Sequence, residues 1–220
     1  MDWTRAIDAY CERTDPSYWS EPVNAVTNAA FLIAALWMWP RARRHGPWEA
    51  MALCVVLAVI GVGSYLFHTH ATAWSAMLDV LPILIFILLY TYAANRRYWR
   101  LPVGVSALGA AAVVPYAIGL GAVFAALPFF EVSAQYWPIP LLIAGYGVAL
   151  RGRLPTVARG LVIGAGILVA SLIFRSVDET LCTAIPVGTH FMWHVLNGVM
   201  LGWMIAVLVR HRVEAGRAGG

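Results

Sequence analysis

Seven stretches of this chain, at 22–40, 48–68, 72–94, 101–123, 133–150, 157–175 and 187–209, are predominantly apolar. Each is about as long as a helix crossing roughly 30 Å of hydrocarbon. In a bilayer such a segment is helical, because every backbone N–H and C=O must find its partner inside the segment. The expectation is an all-α membrane protein, a seven-transmembrane helix bundle. The composition agrees, with 61% of residues hydrophobic and 12% charged, against about 45–50% apolar and 25% charged in soluble domains.

Spans four and five are the least regular, since Pro115, Pro138 and Pro140 fall within them and Pro128 between them. Neighbouring helices can satisfy the carbonyls that such kinks release. Neither a fixed-period repeat nor a long linker divides the chain, so residues 1–220 read as one membrane domain. Residues 1–21 form an extracytoplasmic segment and 210–220 a cytoplasmic tail. The first twenty residues hold Asp2, Asp8, Glu12 and Asp15 and lack the basic start and apolar middle of a cleaved signal peptide.

All 15 basic residues are arginine, and the net charge of +4 taken alone would suit an acidic partner such as nucleic acid. Their placement argues otherwise. Arg41, Arg43, Arg44, Arg96, Arg97, Arg100, Arg151, Arg153, Arg159, Arg210, Arg212 and Arg217 all fall on one side of the seven-span arrangement, and most of the acids fall on the other. The positive-inside rule then puts the N-terminus outside and the C-terminus in the cytoplasm. Ends on opposite sides require an odd number of spans, so hydropathy and charge agree on seven.

Against this background the polar residues of Gly61 to Pro82 stand out, because ionisable groups at membrane depth are costly unless paired, metal-bound or facing water. His68 falls at the outer end of span two and Asp79 in the outer half of span three. Ser64 and His68, like His190 and His194 on span seven, are four residues apart and share a helix face. His68, His190 and His194 can therefore meet at one depth. Three imidazoles with an open fourth position are the donor set of a catalytic zinc, which lowers the pKa of bound water to about 7. Asp79 then either accepts a proton or orients a ligating histidine, and Ser64 is placed to hydrogen-bond a developing oxyanion. The plainer readings are a chance HxxxH pair, a structural pairing of Asp79 with Ser64, or a zinc that only ties spans two, three and seven together. His70 faces the outer water, and His45 and His211 lie among the cytoplasmic arginines.

Residues 61–82, GVGSYLFHTHATAWSAMLDVLP, with 189–197, THFMWHVLN, resemble the Ser-x3-His-x10-Asp and HxxxH segments of the alkaline ceramidases. That seven-helix family belongs to a wider superfamily of membrane hydrolases and adiponectin-type receptors. The similarity continues in YCERTDPSYWSEPVNAVTN, residues 10–28, and RSVDETLC, residues 175–182.

The resemblance implies an intramembrane zinc amidase that cuts ceramide, or a related N-acyl lipid taken from the bilayer, into a fatty acid and a sphingoid base or other amine. It assigns zinc to His68, His190 and His194, the proton to Asp79 and the oxyanion to Ser64. It also implies calcium near the N-terminal acids. Glu12 and Glu21 match two ligand positions, with Asp8 or Asp15 as substitutes for a missing one, although the family's Asp-Trp-Cys-Glu-x-Asn reads Ala9, Tyr10, Cys11, Glu12, Arg13, Thr14 here. The other reading of these acids is a solvated outer segment.

An oxidising outer compartment permits a disulfide between Cys11 and Cys182, and the resemblance supports that pairing. Asp178 is expected to bond the backbone at the mouth of the site, while Trp193, Tyr65 and Trp74 pack or anchor at the interface. The all-arginine composition suggests a bacterial cell-membrane protein with its site on the extracytoplasmic face. The oligomeric state stays open. A receptor-like or structural seven-helix protein is the alternative; transport is disfavoured because the histidines gather at one face.

Overall fold

The computed structural model describes residues 2–218, so the last two residues of the expected tail lie outside it. Among the described residues the regular elements are helical: α1 (Pro22–Thr27), α2 (Ala29–His45), α3 (Trp48–His70), α4 (Ala73–Arg97), α5 (Val103–Ala111), α6 (Val113–Ala125), α7 (Pro138–Leu150), α8 (Pro155–Ser176) and α9 (His190–Ala218). Six stretches are long and apolar enough to cross a membrane: Pro22–His45, Trp48–His70, Ala73–Arg97, Val103–Ala125, Pro155–Ser176 and His190–Gly216. Several such helices mark an integral membrane protein. Leu36, Leu108 and Ile118 are 74%, 73% and 70% exposed, as lipid-facing side chains should be, while Leu53, Leu57 and Ile60 of α3 are fully buried.

The fifth span departs from expectation. Only the 13 residues of α7 are helical, about 20 Å at 1.5 Å per residue, and residues 131–137 form a short 3-10 turn and loose turns instead. Pro138 and Pro140 stand in the first turn of α7, where a missing N–H leaves no ladder bond unmade and a proline favours a helix start. The fourth span breaks at Ala112, just before Pro115, for the same lack of a donor. The first span breaks at Asn28, whose amide donates to the Asn24 carbonyl at 2.9 Å and so competes with the helix ladder. The expected tail from 210 onward is instead the last turns of α9, which runs to Ala218.

Around the bundle, α4 packs on α3, α3 on α2, α2 on α9, α9 on α8 and α8 on α7. Helices α3 and α9 also touch each other, and both touch α1. At Gly63 the α3 and α4 backbones come so close that a Cβ would lie 2.0 Å from the Leu78 carbonyl oxygen. The residues that follow these two in sequence are Ser64 and Asp79, so this close approach sets that pair side by side. At the arginine-rich end the same helices are tied by Arg97, which donates from Nε and Nη2 to the Glu49 carboxylate at 3.1 and 3.0 Å.

The N-terminal segment lies across the α3–α4 turn, where Ala71 takes a left-handed φ of 46°. The amides of Ala73 and Trp74 donate to the carbonyls of Arg5 and Trp3, each at 3.0 Å, satisfying N–H groups that a helix start leaves open. The Cys11–Cys182 disulfide is present, with Cα atoms 5.2 Å apart, and joins this segment to the loop before α9.

A Cβ at position 63 must push α3 and α4 apart. Gly63→Ala is expected to lower stability by about 1–3 kcal/mol, the usual cost of overpacking, while Gly104→Ala, where a Cβ meets nothing within 4 Å, leaves it within about 0.5 kcal/mol. Thermal unfolding of the detergent-solubilised proteins measures both.

Candidate metal centre

The site begins where α3 ends and α9 starts. His68 lies in the last turn of α3, and His190 and His194 lie one turn apart at the start of α9. Each is at most 2% exposed, and one potential ligand atom from each lies within 4.8 Å of the others. Ring centroids are 4.6 Å apart for His68 and His194, 4.7 Å for His190 and His194, and 5.2 Å for His68 and His190.

Hydrogen bonds hold two of these rings. Thr27 Oγ1 lies 2.8 Å from the Val23 carbonyl, to which it can donate, and pairs with His194 Nδ1 at 3.0 Å. His68 Nδ1–H donates to Glu21 Oε2 at 2.6 Å. Nδ1 of both rings is thus engaged by the protein, which leaves Nε2 of each as the nitrogen free for a ligand. Buried His68 Nε2, His194 Nε2 and His190 Nδ1 have no hydrogen-bond partner. A buried nitrogen left without a partner costs about 1–3 kcal/mol, and three imidazoles that each bring one ring nitrogen within 4.8 Å of the others are a metal's donor set. Protein-held second nitrogens are also how metal-ligating histidines are oriented.

Asp178 positions His190 through the backbone. Its Oδ1 accepts the Thr189 and His190 amides at 2.5 and 2.8 Å, and its Oδ2 accepts the Cys11 amide at 3.1 Å. This is the backbone-bonding role expected of it. A carboxylate there also meets the positive end of α9. The Tyr10 ring stacks on His190 with centroids 3.7 Å apart; burial raises its phenol pKa well above the ordinary value, so Tyr10 is a neutral wall of the site.

Partly buried Asp79 on α4 has the Ser64 hydroxyl as its neighbour and lies within electrostatic reach of His68. Ile60, Ile83 and Asn197 stand one turn farther into the bundle than Ser64, Asp79 and His194. With Phe31, Tyr136 and Trp193 they help to line an apolar cavity. Phe31 also meets the His194 ring edge-on at 6.2 Å, so the cavity abuts the histidines. A second recess shares Ile83, Ile87, Tyr136 and Ile139 with the first and continues to the exposed Ile118 of α6.

The acids expected at a calcium site are spread among other tasks. Glu12 accepts the Val23 and Asn24 amides at 2.7 and 2.8 Å, at the start of α1. Glu21 holds His68 and Arg13. Burial would raise the Glu21 pKa, but the hydrogen bonds and charges of His68 and Arg13 outweigh it and leave the group below its ordinary value. Asp8 and Asp15 are exposed, and the Asp15 carboxylate accepts the Ser17 amide at 2.7 Å. His70 is exposed against Tyr18 and Trp74. His211 lies at the far end, donating to the Arg97 carbonyl at 3.1 Å.

Sequence reasoning missed Thr27 as the partner of His194, Glu21 as the partner of His68, and Arg175. The last stacks over Tyr136 and Trp193 at 5.3 and 5.6 Å and lies beside Tyr10. Thr27, Glu21 and Arg175 all sit inside the segments quoted for the resemblance, which was the available signal.

Compared with known families, residues 6–218 match the family model described as Ceramidase. No curated protein matches the chain.

Thr27→Val keeps the shape of the side chain and removes the hydrogen-bond partner of His194 Nδ1. It is expected to weaken metal binding about 10–100-fold, the usual loss for such a partner, and His194→Ala to abolish it. Chelator competition on the purified protein measures both.

Proposed function

The chain belongs to the ceramidase family, and from that premise we propose that it is a zinc-dependent intramembrane amidase. It cuts the N-acyl bond of ceramide or a related N-acyl lipid, releasing a fatty acid and an amine. The observation that carries this reading is a group of three buried histidines, each bringing one ring nitrogen within 4.8 Å of the others, next to Asp79 and Ser64 and beside an apolar cavity.

Imidazole suits zinc, copper, iron and nickel, and three histidines with a free fourth position follow the pattern of catalytic zinc rather than of closed, four-ligand structural sites. His68, His190 and His194 would hold the ion. When bound, it supplies Lewis acidity, polarising a carbonyl and acidifying water at the open position.

The chain's own residues do the rest. Asp79 takes the proton from the attacking water and passes it to the departing amine nitrogen. Ser64 turns its hydroxyl toward the acyl oxygen as negative charge develops there. Glu21 and Thr27 hold the rings of His68 and His194, and Asp178 holds the turn that delivers His190. The apolar cavity receives hydrocarbon of the lipid, and the recess it shares with α6 and α7 offers a way in from the bilayer.

The reading includes one seven-helix domain with α7 as its short member. The arginine bias supports an N-terminus and metal centre at the extracytoplasmic face, a cytoplasmic C-terminus and a bacterial cell membrane as the setting.

The test is fatty-acid release from ceramide and other N-acyl lipids by the purified zinc-loaded protein. Asp79→Asn should keep its zinc and lose about 10²–10⁴-fold in rate, the typical share of proton transfer. Full activity in that variant would sink the mechanism. A zinc-bound wild type that cleaves no N-acyl lipid would favour the receptor-like or structural alternative.

A further inference from the structure

The place where the resemblance implies calcium already holds a cation of the chain's own. Arg13 is buried, its side chain 5% exposed beside a Glu21 side chain at 3%. Its guanidinium donates from Nε to Glu21 Oε1 at 2.5 Å, from Nη1 to the Asp15 carbonyl at 3.2 Å and from Nη2 to the His68 carbonyl at 3.0 Å. One carboxylate oxygen and two backbone carbonyls, the hard oxygens a calcium ion would use, are thus taken by one guanidinium.

The remaining acids do not make up a calcium shell. Calcium needs about six to eight oxygens. Both Glu12 oxygens accept backbone amides, the second Glu21 oxygen accepts His68 Nδ1–H and the Asn24 amide at 2.6 and 3.2 Å, and Asp8 and Asp15 face outward. A divalent ion entering here would also meet the positive charge of Arg13. These residues do not fit calcium.

We propose that Arg13 is the resident cation of this acidic site and a positioning residue for the metal ligand His68, which makes the zinc centre independent of calcium. Arg13 grips His68 twice. Its Nε–H fixes the Glu21 carboxylate whose other oxygen orients the imidazole, and its Nη2–H holds the carbonyl of His68 itself. A planar guanidinium with forked donors can make these contacts together, whereas an ammonium acts as a point charge. Without Arg13 the Glu21 carboxylate would be a buried, partly unpaired charge, and His68 would lose both restraints.

This inference rests on the zinc-centre reading, and its test reads metal affinity rather than lipid turnover. Zinc affinity of the purified full-length protein is measured by chelator competition, and thermal stability is followed with EGTA or with calcium at ~1 mM, the range of weak extracellular calcium modules. Wild type should show the same zinc affinity and melting temperature in both. Arg13→Gln should lose zinc affinity about 10–100-fold, and Arg13→Lys, which returns the charge but not the fork, should recover part of the loss. Arg13→Gln binding zinc as tightly as wild type would overturn the proposal, as would calcium raising the zinc affinity or melting temperature of the wild type. If Arg13→Gln does not fold, the calcium titration of the wild type decides. A wild type that binds no zinc overturns both this inference and the proposed function. A zinc-binding, calcium-indifferent wild type with no amidase activity supports this inference and sinks only the amidase reading.

Discussion

Each buried polar atom without a partner costs about 1–3 kcal/mol; His68, His190 and His194 each carry one, and the three imidazoles are held together where helices meet. An apolar bundle left to its own packing would turn these nitrogens apart or toward water. Keeping them together takes restraint on every ring and on the elements that carry them. Glu21 and Thr27 fix two rings, Tyr10 covers the third, and Asp178 pins the start of α9. The end of the molecule opposite the arginine-rich one is organised around that demand.

Most of the restraint comes from outside the spans. The N-terminal segment supplies Tyr10, Arg13 and Glu21 to the site, caps α4 with its own carbonyls and caps α1 with Glu12. The disulfide to Cys182 and the bond from the Cys11 amide to Asp178 hold it against the loop before α9. A disulfide also limits the unfolded chain, a stabilisation of about 2–4 kcal/mol. Acids that look like a solvated tail in the linear chain thus serve as caps and ring partners.

The parts legible in the sequence were those set by local period and by solvent. Apolar runs marked the helices, and four-residue spacing marked which of Ser64, His68, His190 and His194 share a face. The short α7 was overestimated because hydropathy does not register that Pro138 and Pro140 favour a helix start at that point. The break at Asn28 was missed because it depends on one side chain competing with the backbone. Thr27 and Arg13 escaped notice for another reason: an ordinary threonine and an ordinary arginine acquire roles only through residues 167 and 55 positions away.

By itself, then, the sequence determined an all-α chain with several membrane-length helices and a histidine set suited to a metal, since hydropathy and helical spacing act over a few turns. Only the tertiary structure decided which ring nitrogens face one another, that Gly63 brings Ser64 beside Asp79, and that a guanidinium occupies the acidic site where a calcium ion was expected. These are matters of distance between segments far apart in the chain, set by close packing and by the need of each buried polar group for a partner.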